Sequence, residues 1–205
     1  MFADISELHK AIVEKRPADF VSHFLFEPTP FVFNKDFAGW IHWKSELATR
    51  LDVDPKDIVL TGSAALGYSL NPHKHFKAFD ERSDVDCGII SAHHFDVAWR
   101  HLRRLRPQWL MLPRASRQAI TIHRENYIFT GTVATDKILS ILPFGPQWKA
   151  ALEVMATHEP TVNRDVKLRI YKDYDALRQY HAHNVGRLRD TLLHEAAETE
   201  LETET

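Results

Sequence analysis

The sequence predicts an α+β fold, on three observations. Short apolar runs, two of them alternating with period two, lie at residues 58–60, 84–90 and 162–171. Apolar stripes at helical spacing cover 36–51, 94–105 and 173–194. Turn formers separate the two kinds of segment, notably Asp54-Pro55 and the Pro143–Pro146 breaker.

In order along the chain, residues 4–16 read as a short amphipathic helix with Ile5, Leu8, Ile12 and Val13 on one side, ended by Arg16-Pro17. Pro28, Pro30 and Phe31-Val32-Phe33 predict an extended crossing segment. A helix follows over 36–51, with Phe37, Trp40, Ile41, Leu47 and Leu51 on its stripe and Asn34 or Asp36 as cap. The next strong helix, 94–105, sets Phe95, Ala98, Trp99, Leu102 and Leu105 against a basic face of Arg100, His101, Arg103 and Arg104, with Arg106 just beyond. That face is either an ordinary solvated surface or a site for a nucleic acid or acidic protein. Residues 118–134 read as β-like in places through Ile120, Ile122, Tyr127, Ile128, Phe129 and Val133. Residues 136–142 read as a helical turn and 148–157 as a helix. In 162–171, Val166, Leu168 and Ile170 alternate with Asp165, Lys167 and Arg169. Asp173 caps the last helix, and the acidic, simple tail from Glu195 reads as disordered.

Composition excludes several classes. The 205 residues are 44% hydrophobic and 26% charged, with a net charge of −2, as in an ordinary globular chain. No apolar run approaches the ~20 residues that cross a bilayer, and the N-terminus lacks a basic-then-apolar signal pattern. One cysteine, Cys87, precludes an internal disulfide and fits a cytoplasmic setting. The thirteen histidines show no zinc-type spacing.

Two motifs carry chemistry. In Ser83-Asp84-Val85-Asp86-Cys87-Gly88-Ile89-Ile90, strand alternation turns Asp84 and Asp86 to one face, about 7 Å apart. Such a pair suits hard divalent cations completed by phosphate oxygens. Upstream, Ile58-Val59-Leu60 reads as a buried strand, Thr61-Gly62-Ser63 as a turn and Ala64–Tyr68 as a helix start. A glycine there admits close approach of a ligand, and the serine hydroxyl and free amides would cradle phosphate.

Strand, Gly-Ser, helix and Asp-x-Asp in this order resemble the polymerase-β-like nucleotidyltransferase superfamily, over about a third of the chain. The pattern departs from the family in one respect: twenty residues, 64–83, separate Ser63 from Asp84, where a dozen is usual. The added stretch is polar and carries His73, Lys74, His75 and Lys77. The resemblance implies a mixed sheet flanked by helices, with helices added at both ends. It divides the chain into an N-terminal helical segment (1–52), a nucleotidyltransferase core (53–172), a C-terminal helix (173–194) and the tail (195–205). It further implies Mg²⁺ or Mn²⁺ on Asp84, Asp86 and a third carboxylate, with an NTP held by Gly62 and Ser63. Asp165 is the first candidate for the third acid, and is equally readable as a surface aspartate pairing with Lys167 or Arg169. Asp136 and Glu125 stand behind it, on no clean strand. The implied activity moves a nucleoside monophosphate to an acceptor in RNA, protein, a nucleotide or a small molecule. Some small members of the superfamily act in toxin–antitoxin or antiphage modules. An alternative is a member without turnover that senses nucleotide, binds nucleic acid or joins a partner protein.

Overall fold

The computed structural model describes residues 2–203. The first helix, α1 (Ile5–Glu14), starts where Asp4 accepts from the Glu7 amide at 2.9 Å. Then come α2 (Pro17–Val21) and α3 (Phe37–Leu51), the latter capped by Asp36 through the Gly39 amide at 2.9 Å. Strand β1 (Ile58–Thr61) leads into α4 (Gly62–Leu66), and β2 (Val85–Ile90) into α5 (Ala92–Arg104). After α6 (Arg114–Asn126) come β3 (Thr132–Ala134), α7 (Gly145–Met155), β4 (Val166–Tyr171) and α8 (Tyr174–Thr203).

The four strands described form one mixed sheet in the order β1-β2-β4-β3. β2 runs antiparallel to β1 and parallel to β4, with Thr61 opposite Asp86 and Asp86 opposite Lys167. β3 closes the other edge antiparallel to β4. Alternation divides the faces. Val85, Cys87, Ile89, Leu168 and Ile170 join the main core with Phe95 of α5 and Trp148 of α7. On the opposite face Val59, Ile90 and Tyr171 pack with Leu177 of α8. Gly88 permits that approach: a Cβ there would stand 2.8 Å from a Leu177 methyl and 3.1 Å from the Tyr171 ring. Beyond the sheet, α8 is held by the N-terminal helices. Arg189 donates to the Val13 carbonyl at 3.0 Å and Arg178 to the Ser22 hydroxyl at 3.0 Å.

Three expectations are corrected. Residues 31–33 form a 3₁₀ turn ending in left-handed Asn34, rather than an extended crossing. The β-like reading of 118–134 holds only for Thr132–Ala134; Arg114–Asn126 is helical, burying Ala119, Ile120 and His123 at helical spacing while Ile122 is exposed. The tail expected to be disordered continues α8 as far as Thr203, its Glu, Ala and Leu being good helix formers; residues 204 and 205 lie outside the described residues. No helix described is long and apolar enough to cross a membrane.

Candidate active site

Both sequence motifs arrive at one end of the sheet. β1 leaves the sheet there and β2 enters it, so Gly62-Ser63 and Asp86 become neighbours through the Thr61–Asp86 register. Gly62 has φ +63°, and a Cβ on it would stand 3.3 Å from the Asp86 carboxylate. The turn therefore brings backbone directly onto the acid.

A cleft of about 380 Å³ opens over this point. Thr61, Gly62, Ser63 and Asp86 form part of its floor, with Lys167 and Arg169 of β4 beside them. Asp136, in the turn after β3, supplies a second carboxylate. Tyr180, Asn184 and Arg187 descend from α8, and Tyr127 comes from the segment after α6. Ser69–Lys74 close the remaining side. A smaller cavity of about 70 Å³ adjoins it, lined by Ser63, Asp84, Asp86, Lys74, Lys77 and Arg82 among others.

The insertion after Ser63 is an ordered wall of this cleft. The Ser69 amide donates to the Lys77 carbonyl at 2.9 Å and the Phe79 amide to the Gly67 carbonyl at 2.8 Å, folding the segment back on itself. Its far end is fixed by Arg164, which donates to the Asp80 and Ser83 carbonyls at 2.6 and 3.1 Å and lies over the Phe79 ring. Lys77 and Ser83 hydrogen-bond Asp80 and hold its carboxyl at about 2. Lys74 faces both cavities and Lys77 the smaller one; His73 faces the main cleft, and His75 lines neither.

The acids differ in their surroundings. Asp84 is ion-paired with Lys167, whose pKa rises chiefly through that hydrogen bond. The Asp86 carboxylate makes no hydrogen bond or ion pair among the described residues, although water reaches it through the cleft mouth. Protein surrounds it on most sides, and this desolvation raises its pKa. Arg169 opposes the rise, while Asp84 and Asp136 add to it. Arg169 is itself fixed, bonded to the Tyr180 hydroxyl and flanked by the rings of Tyr127 and Tyr180. The Ser63 hydroxyl, like Asp86, has no protein partner among the described residues.

The expected third acid is corrected as well. β4 begins at Val166, so Asp165 stands exposed at its mouth, bonded to β2 only through its carbonyl, and lines neither cavity. Lys167, not an acid, lies opposite Asp86, and it pairs with Asp84 rather than with Asp165. Among the described residues no three acids or histidines converge as a ready metal cage. No protein-family model, curated protein or solved structure matches this chain.

Sequence reasoning missed Tyr127, Arg169 and the α8 contribution. The last had a signal: Tyr180, Asn184 and Arg187 lie at i, i+4 and i+7, a polar stripe on one helix face. His181, beside that stripe, is buried and accepts from or donates to the Tyr171 hydroxyl at 3.2 Å. Its burial lowers the imidazole pKa to about 3, so it is neutral and holds the wall in place. A second hollow of about 400 Å³, beyond Ile90 and Lys172 at the opposite strand ends, contains none of the predicted site residues.

Proposed function

We propose that this cleft binds a nucleoside triphosphate and transfers its nucleoside monophosphate to an acceptor hydroxyl, releasing pyrophosphate. The observation that carries the reading is the Asp86 carboxylate, unpartnered and open to the cleft beside the unpartnered Ser63 hydroxyl. Arg169 and Lys167 act on it through space without bonding it, which leaves its oxygens open to a cation from outside the chain. Mg²⁺ or Mn²⁺, ligated by oxygens, answers that need.

The donor set fits such an ion in part. Asp86 fits as it stands. Asp84 fits once the Lys167 ammonium moves aside, one cation exchanging for another. Asp165 does not fit, and Asp136, the other carboxylate lining the cleft, replaces it. When bound, the ion supplies charge neutralisation and lowers the pKa of a coordinated hydroxyl.

The chain's own residues do the rest. Four cationic side chains of the cleft, Lys74, Lys167, Arg169 and Arg187, outnumber its two carboxylates, Asp86 and Asp136, and suit a polyphosphate. Gly62 admits the phosphates close to backbone, and Ser63 donates a hydrogen bond to them. The acceptor oxygen bonds to the α-phosphorus as the bond from that phosphorus to the α,β-bridging oxygen breaks. Pyrophosphate leaves with the electron pair, and the acceptor proton passes to Asp136. Fixed cations such as Arg169, already held by two tyrosine rings, neutralise the departing charge without reorganising.

The test incubates the protein with each α-labelled NTP, Mg²⁺ and cell extract. Labelling of an acceptor that Asp86→Asn abolishes supports transfer; no label with any nucleotide removes it. One observation favours a second reading, a nucleotide-sensing module without turnover: Lys167 already neutralises Asp84. On that reading NTPs stabilise the protein equally with and without Mg²⁺, and no label moves.

A further inference from the structure

Residues 97–124 hold seven arginines and no lysine, aspartate or glutamate, in a chain whose net charge is −2. The fold gathers most of them outward. On α5, Arg100, Arg103 and Arg104 share one face by their i, i+3, i+4 spacing, opposite buried Phe95, Ala98 and Leu102. On α6, Arg114 and Arg124 are exposed and Arg117 is half-buried, with Arg117 and Arg124 flanking Ile120 at the rim of the buried stripe of Ala119, Ile120 and His123. Among the described residues, Arg103, Arg104, Arg106, Arg114 and Arg117 have no carboxylate within 4.0 Å.

These arginines do not serve the fold alike. Cations in the last turn of α5 complement its dipole, but those at the start of α6 oppose the dipole there. α6 has no side-chain cap and no acid in its first turn to offset them. Arg114 and Arg117 therefore cost local stability, which an external anion would repay. Arginine throughout, rather than lysine, matches the forked geometry of phosphate oxygens.

We propose that the α5–α6 surface binds the phosphate backbone of an RNA. Membrane insertion needs an outward apolar helix face; here most of the apolar stripes of α5 and α6 is buried, leaving single residues, Trp99 and Ile122, at their exposed margins and Leu110 and Met111 on the intervening turn. The surface also leads to the cleft. α6 runs from Arg114 to Asn126, about 20 Å at 1.5 Å per residue, and the next residue, Tyr127, lines the cleft. A strand tracked by the arginines is thus delivered toward the acids. The choice of RNA rests on the transfer reading, because an RNA 3′ end presents two hydroxyls, 2′ and 3′, to that reaction where a DNA end presents one.

The test is fluorescence anisotropy of a 5′-labelled RNA hairpin with a single-stranded 3′ end, against the full chain in EDTA without nucleotide. Binding read this way is independent of turnover, so a failure of nucleotidyl transfer leaves it intact. The expected affinity falls steeply with salt, as counterion release requires. Arg103→Glu/Arg104→Glu and Arg114→Glu/Arg117→Glu each weaken it about tenfold or more, through like charge against phosphate, with melting temperatures no lower than wild type for the second pair. No salt-dependent binding, or binding that ignores both double variants, overturns the proposal. So does equal affinity for the matching DNA hairpin, or binding to phosphatidylserine vesicles in place of RNA.

Discussion

Lys167 lies opposite Asp86 in the β2–β4 register, yet its ammonium bonds the carboxylate of Asp84. The lysine thus stands where a divalent ion shared by both acids would stand. Lys167→Met removes this competitor. The half-maximal Mg²⁺ concentration for thermal stabilisation with NTP should fall severalfold. The lost pair should cost less than about 1 kcal/mol, since both side chains are more than a third exposed (40% and 37%). A Mg²⁺ requirement unchanged from wild type, read by thermal shift, would show that the ion does not use Asp84.

Asp86→Asn should stabilise the apo protein while disabling it. A carboxyl with a raised folded pKa contributes its full stability when protonated and loses it as pH rises through that value. At pH 7 the ionised group is therefore a burden, which the amide removes. In chelator the melting temperature should rise by about 2–4 °C per kcal/mol recovered. Mg²⁺-dependent labelling should disappear. A lower melting temperature in EDTA would falsify the assignment of Asp86 as a charge that destabilises the apo protein.

Acid should weaken the fold through two buried histidines. Burial lowers His181 to about 3 and His123 to about 4, both below the ordinary value of 6.5. Depressed values mean that stability is complete above pH 6.5 and is lost as pH falls toward the folded pKa values. For His181 alone the loss by pH 5 is on the order of 2 kcal/mol by linkage. His181→Gln should flatten the fall in melting temperature between pH 6.5 and 4. An unaltered slope would place the acid sensitivity elsewhere.

The positive φ of Gly62 makes a further prediction. Gly62→Ala puts a methyl into a left-handed conformation and within 3.3 Å of the Asp86 carboxylate. Strain of about 1–2 kcal/mol is expected, together with loss of the NTP-induced shift in melting temperature. Retention of the full shift would exclude this turn from phosphate binding.

Local chemistry made much of this site readable. The alternation of 84–90 placed Asp84 and Asp86 correctly relative to Val85 and Cys87, and Asp173 does cap α8, accepting from the Ala176 amide at 2.7 Å. What failed was nonlocal. Whether Asp165 or Lys167 meets the acid pair depends on where β4 begins and how it registers with β2, which alternation alone does not specify. Asp136 was discounted for lacking a clean strand, yet the short β3 carries it to the cleft. Ile120 and Ile122 mimic strand alternation, and only the burial of Ala119 and His123 reveals the helical period.

The two N-terminal helices contribute no residue to the cleft, but they brace the helix that forms its wall. Enzymes that nick the chain near Arg16 would thus unfasten a distant rim without touching a reactive group. Shortened forms lacking α1 and α2 would also strip fully buried Leu8, Ile12, Phe20 and Val21 from the main core, so the opening segment is both buttress of the cleft wall and part of what keeps the chain folded.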